Sequence, residues 1–246
     1  MAMDTLIPDI RITAAARFDT DAAVSGKILK QVLQQRTGTD PRRLSRLSIC
    51  AALGAGLLAR SRRISPDCAV WLGTPFSSPA IFAKMAGNVL DHHAAMPFDF
   101  IANLHNAPAF HAAEALGCHG ATSTVPAGRD SDTRFHPLLL AAASLPIGGQ
   151  AAVGWCYEHQ PPYPHTGEGS VWLLLEHGAD TGSPLCFSKK TTPQAATERS
   201  SETYYWQHIA DLAATLHERS HTIEAGSWTI QTGCPADVAT AYERIG

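Results

Sequence analysis

The stretch QPPYPHTGEGSVWLLLE (160–176) decides how this chain is read. Its first ten residues are Pro, Gly and small polar types, the composition of a loop. Its last seven, SVWLLLE (170–176), form an unbroken apolar run of strand length, as expected of a central strand buried on both faces. Just upstream, AAVGWCYE (151–158) has the same buried-strand character. It follows an apolar helix at 133–145 (Phe135, Leu138, Leu139, Leu140, Leu145) stopped by Pro146 and Gly148-Gly149.

Further out, ATSTV (121–125) alternates like a strand. Asn106 is placed to cap a helix running to Leu116 and closed by Gly117. Phe98–Leu104 reads as extended, and a helix is expected at 79–91 after the loop TPFSSP. CAVWLG (68–73) is a short apolar strand. Asp40-Pro41 reads as the start of a helix whose body, RLSICAALGAGLLARS, is apolar nearly all round. A helix at 21–36 (Val24, Ile28, Val32, Leu33) and a strand within 6–18 open the chain. After Glu176 the polar residues 177–202 read as a long loop, followed by a helix at 203–219 and a strand at 227–231. Strands alternating with helices predict an α/β fold with a mixed, mostly parallel sheet and flanking helices. The expected division is a body at 1–176 and a short C-terminal appendage at 177–246.

The 246 residues are 45% hydrophobic and 17% charged, with a formal net charge of −3. That excludes intrinsic disorder and argues against nucleic acid, which selects a basic face; Arg60, Arg62 and Arg63 read as a solvated helix end. A charged fraction below the usual ~25% hints at surface hidden against another chain. No apolar run approaches the ~20 residues of a membrane span. MAMDTLIPDI has neither a basic nor an apolar signal region, so a cytoplasmic protein is expected. Cys50, Cys68, Cys118, Cys156, Cys186 and Cys234 lack any CxxC spacing and are expected to be reduced and mostly buried.

The chain has no GxSxG, GxxxxGK[ST], GxGxxG or HExxH motif. Cys118, in LGCHG, follows a helix C-terminus, where the dipole gives a thiolate no help, and Cys156 sits inside an apolar strand. His92 and His93 are adjacent and cannot easily face one metal. His105, His111 and His119 lack a ligand at i+4. Neither a metal nor a cofactor is expected.

GEGSVWLLLE (Gly167–Glu176) resembles the Gly-Glu-Gly-Ala-x-x-x-x-Leu-Glu stretch of β-ketoacyl-ACP synthases, condensing enzymes of the thiolase fold. FIANLHNAPAFHAAEALGCHGATSTV (100–125) is similar to the ketosynthase segment around its Asn, helix, Gly-Pro turn and Thr-Val strand. The elements between them follow in the family's order, so the resemblance covers about residues 8–176. It implies a thiolase-like fold, mainly its N-terminal half, with a truncated C-terminal half.

Two departures decide what the resemblance implies about function. In ketosynthases the strand after the turn leads to a helix whose first residues hold the acyl-accepting Cys. Here that position falls near Arg129, in a window from Gly128 to Asp132 that holds no Cys. Ser131 lies in the window without a recognisable base. Only about 70 residues follow Glu176, and His208, His217 and His221 match no family histidine. The resemblance therefore implies no catalytic residue in this chain. It points to a chain-length-factor-like subunit, as in aryl polyene biosynthesis, that pairs with a catalytic ketosynthase and shapes the acyl tunnel. Acyl carrier protein would reach it through the complex. Phe100, Leu104 and Phe110 are the tunnel candidates; Asn106, Ala121, Ser123 and Val125 are the partner-interface candidates, with ATSTV pairing across the interface. A half-fold would also expose apolar helices, for which 44–59 and 133–145 are the candidates. The alternatives are a stand-alone scaffold of the same fold, or an active acyltransferase using Cys118 or Ser131.

Overall fold

A computed structural model describes residues 9–94, 96–128, 131–161, 167–190, 202–216, 218–233 and 238–246, with backbone alone for 131–132 and 202–204. Nine strands form one sheet: β1 (Ile10–Asp21), β2 (Ala69–Thr74), β3 (Thr122–Pro126), β4 (Gln150–Tyr157), β5 (Gly167–His177), β6 (Ser183–Lys189), β7 (His221–Ala225), β8 (Trp228–Thr232) and β9 (Ala239–Ile245). Their order is β3-β2-β4-β5-β1-β6-β8-β7, with β9 pairing β1. β2 is parallel to β3 and β4, and β5 is antiparallel to both β4 and β1. The α/β architecture with a mixed sheet is as expected, but the sheet is mostly antiparallel rather than mostly parallel. β1/β6, β6/β8 and β7/β8 are also antiparallel, and β1/β9 adds only one further parallel pair, because the C-terminal strands join the sheet through hairpin-type pairings.

Helices cover both faces. On one lie α1 (Gly26–Thr37), α2 (Arg46–Ser61) and α5 (Ala107–Leu116), sharing a core with Trp172 and Leu174. On the other, α7 (His136–Ser144) and α8 (Glu202–Thr215) close over Trp155, Leu173 and Phe187. The faces meet through β1. Its register shifts between Ile12 and Ala14, so Ile10 and Ile12 enter one core and Ala14, Ala16 and Phe18 the other. The Thr13 hydroxyl at the shift donates to Glu176 Oε1 at 2.7 Å.

α2 lies close against β5 because Gly54 leaves room for Ser170 and Trp172. Ser170 Oγ donates to the Cys50 carbonyl at 2.6 Å and Trp172 Nε1 to that of Ala51 at 3.1 Å. A Cβ on Gly54 would stand 2.2 Å from Ser170 Oγ. Gly167–Gly169 belong to β5 rather than to the preceding loop. Gly169 has φ +153°, and a Cβ there would meet the Phe18 carbonyl at 2.0 Å, so only glycine fits against β1.

Several expectations are corrected. Phe98–Leu104 is mostly helical: α4 (Pro97–Ala102) starts at a proline suited to a first turn and carries Asp99 there. The second helix begins at Arg46, not at Pro41, because Ser45 caps it by accepting from the Ser48 N–H at 3.1 Å. The first helix begins at Gly26, capped by Ser25. The helix at 133–145 is split into α6 (Ser131–Arg134) and α7. The stretch 177–202 contains β6, and β7 and β9 are additional strands.

The exposed helices also differ from those expected. Residues 47–58 of α2 are buried throughout, and α7 buries Pro137, Leu138, Ala141 and Ala142. The layer over that second face is supplied by α8 and β6–β8. β9 is fastened to both sides: Glu243 pairs with Arg36 and Arg60, each at 3.2 Å, and Tyr242 donates to Asp19 Oδ2 at 3.2 Å.

Candidate functional site

The exposed apolar surface lies on α3 (Pro79–His92), α4 and the start of α5. α3 is apolar yet buries none of its residues. Phe82 is 63% exposed, Leu90 73%, Phe100 59% and Phe110 63%, with Val89, Phe98 and Ile101 also more than half exposed. Lys84 Nζ pins α4 to α3 through Asp99 at 2.9 Å, and the Arg43 guanidinium lies 3.9 Å from the centre of the Phe98 ring. These contacts hold the two helices without hiding their apolar side chains. Exposed apolar side chains grouped on neighbouring helices in this way make a candidate interaction site.

β3 packs against α5. Among the described residues it is the end of the sheet: Thr122–Pro126 pair with β2, and no described strand pairs with the other edge. Among the interface candidates, Ala121 and Asn106 are exposed, and Ser123 and Val125 are half-buried on the edge strand. Asn106 occupies the cap position of α5 without making a side-chain capping bond.

Leu104 and Phe110 come together in a cleft of about 390 Å³ between the start of α2 and the α4–α5 junction; its other lining residues include Arg42, Arg43, Ser45, Ser48, His111 and the interface candidate Asn106. Phe100 is not part of its lining and faces solvent on α4. The sequence reading missed Ser45 and Ser48, which carry no motif and join the cleft only through the fold.

Arg129 and Asp130 of the window that would hold a nucleophile lie outside the described residues, as do the side chains of Ser131 and Asp132; Gly128 N–H donates to Thr133 Oγ1 at 2.7 Å. Just beyond, Arg134 is fully buried. Its carbonyl accepts from Trp155 Nε1 at 2.8 Å, and its guanidinium meets His208 Nδ1 on α8. Burial, then the neighbouring Arg134 charge, holds the His208 pKa below its ordinary value. No sequence signal linked His208 to this segment. His217 is outside the described residues.

The cysteines are placed for packing. Cys118 is buried with its thiol against that of Cys68. The hydrogen bond from Cys68 lowers its pKa, while Cys68 is pushed up by the same contact and by burial. Cys156 is fully buried, donates to the Leu47 carbonyl at 3.2 Å, and is raised well above a normal thiol by burial. Cys186 is exposed on β6, and Cys234 is outside the described residues.

A buried carboxylate pair anchors α2 behind the cleft. Glu158 accepts from Leu47 N–H, Ser78 Oγ and Ala80 N–H at 2.9, 2.8 and 3.2 Å. Glu168 pairs with Arg46 Nε at 2.5 Å and accepts from His159 N–H at 3.0 Å. Burial raises the pKa of both. Among the described residues no group of three metal-ligating side chains assembles, and no helix is long and apolar enough to cross a membrane.

No protein-family model matches the chain, and no curated protein matches it. Solved structures do. One is a ketosynthase in complex with its chain length factor from Xenorhabdus doucetiae, with TM-score 0.58 and 15% identity, covering 92% of this chain and 99% of that one. A second is the ishigamide ketosynthase/chain length factor, at 0.54 and 12%, covering 91% and 98%. A third is a type II PKS acyl-carrier protein in complex with its ketosynthase, at 0.51 and 12%, covering 87% and 76%. The fold is therefore thiolase-like, of the kind seen in ketosynthase and chain-length-factor structures. The first two matches span nearly the whole of both chains.

Proposed function

We propose that this chain is a non-catalytic, chain-length-factor-like subunit that pairs with a catalytic ketosynthase in polyene- or fatty-acid-type chain elongation in the cytoplasm. The observation that carries the reading is the edge of β3, which pairs with β2 alone among the described residues and packs against α5, the helix that carries the exposed Phe110. An unpaired strand edge next to exposed apolar helices invites another chain to supply both main-chain hydrogen bonds and a cover. The two structural relatives described as complexes of a ketosynthase with a chain length factor support the choice of partner. The missing Cys in the window 128–132 supports the non-catalytic role. On this reading Leu104 and Phe110 contribute to the wall of the acyl tunnel, Phe100 joins them from α4 once the partner closes the surface, and the growing chain arrives on acyl carrier protein bound to the partner.

Co-expression with a catalytic ketosynthase from the same organism tests the proposal. The expected result is a stable heterodimer, with self-association of the chain expressed alone. A monodisperse monomer with no affinity for any ketosynthase would overturn it and favour a stand-alone scaffold.

A further inference from the structure

The walls of the cleft between α2 and the α4–α5 junction differ in kind. Leu44, Ile101, Leu104 and Phe110 make its sides apolar. Ser45 and Ser48, 2% and 1% exposed, bring two hydroxyls to it. Their oxygens are 2.9 Å apart, and Ser45 Oγ also accepts from the Ser48 N–H. Two hydroxyls carry two protons, and the contact between them uses one. The other has no acceptor among the described residues. A buried donor left without an acceptor is unfavourable, and an oxygen arriving from outside satisfies it.

The cationic rim selects less than its charge suggests. Arg42 is tied to Asp40 at 2.5 Å. Arg43 is held in the left-handed region at φ +65°, with its guanidinium over the Phe98 ring. Of the polar side chains lining the cleft, Arg42, Arg43 and Asn106 are exposed and His111 is half-buried, so the Ser45–Ser48 pair supplies its buried polar contact. The volume, about 390 Å³, lies at the lower end of small-molecule sites, roughly 300–1,000 Å³.

We propose that this cleft receives the distal end of an apolar ligand whose last group presents a neutral acceptor oxygen, carbonyl or hydroxyl, to the Ser45–Ser48 pair. That the ligand is a growing acyl chain rests on the elongation role proposed above. The site itself does not, since every lining residue belongs to this chain. The subunit would then select chains by the chemistry of their far end as well as by their length.

Binding of 4-phenylbutan-2-one and of butylbenzene to the purified full chain, followed by ligand-observed NMR, tests the site without a partner. The ketone should bind about tenfold more tightly than the hydrocarbon. Ser45→Asp keeps a helix cap but offers only acceptors, so the Ser48 proton turns inward to the carboxylate and the preference should vanish. Leu104→Trp, at a 40%-exposed position that does not threaten folding, should abolish binding of both probes. Equal affinity for the two probes, binding of neither, or a ketone preference surviving in folded Ser45→Asp overturns the site. Loss of partner capture with the ketone preference intact would instead sink the elongation role and leave the site standing.

Discussion

The Glu158 carboxylate, just past the end of β4, accepts the backbone N–H of Leu47 at 2.9 Å and so holds the first turn of α2. With Glu168 on Arg46 beside it, the start of α2 is fixed by two buried acids. That same start forms one wall of the cleft.

Burial raises the Glu158 pKa above its ordinary 4.5. The folded chain therefore holds this proton more tightly than the unfolded chain. Stability from this group is present below about 4.5 and is lost as pH rises through the folded value. Glu158→Gln does not titrate, so wild type should lose stability relative to it over the pH range above about 4.5. Urea unfolding of both proteins across that range checks this; a difference that stays constant with pH would mean an ordinary carboxylate.

Gly54→Ala should destabilise the chain even though alanine is the better helix former. The gain from propensity is about 1 kcal/mol. The added Cβ would meet Ser170 Oγ at 2.2 Å and Trp172 Cδ1 at 2.9 Å, and overpacking of this kind costs about 1–3 kcal/mol. A midpoint in chemical denaturation at or above that of wild type would show that α2 has room to move off β5.

Phe82→Asp and Leu90→Lys change side chains that touch little of their own chain. Each should alter unfolding free energy by no more than about 0.5 kcal/mol. Each should also weaken ketosynthase capture by about 2 kcal/mol or more if it lies in the centre of the interface. Thermal melts and a pull-down, read together, separate the two effects.

Phe110→Ala should let the assembled complex make longer products. Removing the ring enlarges the cleft, and each additional buried CH2 gains roughly 0.8 kcal/mol. Mass spectrometry of the product distribution provides the readout. An unchanged distribution from an intact complex removes Phe110 from the tunnel wall.

Cys118→Ala and Cys156→Ala should leave condensation by the complex near normal, with only a stability loss of about 1 kcal/mol or somewhat more. A drop of several orders of magnitude in turnover by a folded variant would restore the acyltransferase alternative.

The strands with strong apolar runs were legible from the residues alone. SVWLLLE and AAVGWCYE need no partner information to be recognised as buried. β6 and β9 were not legible, because each is covered on one side and short of large apolar groups. SPLCFSK buries Leu185 and Phe187 but exposes Cys186, and ATAYERI leaves Thr240, Tyr242 and Arg244 in solvent. Pro41 drew the predicted start of α2 away from its cap at Ser45. The apolar count of α3 was visible, but its lack of burial was not, since that depends on what the rest of the chain leaves uncovered. Ser45 and Ser48 lie more than fifty residues from Leu104 in sequence, and no local pattern predicts that they share a cleft.

The seam along β1 governs how the molecule can assemble. Residues 10–21 must wait for a partner at 167–177 on one side and for 239–245 on the other. Loop closure over such separations is entropically slow, and both edges of β1 stay bare in the interval. The fold therefore has a built-in waiting period, during which Ile10, Ile12 and Phe18 are open to the wrong neighbour. β2, β4 and β5 stand between β3 and β1, so a chain held at β3 would cover neither edge of β1.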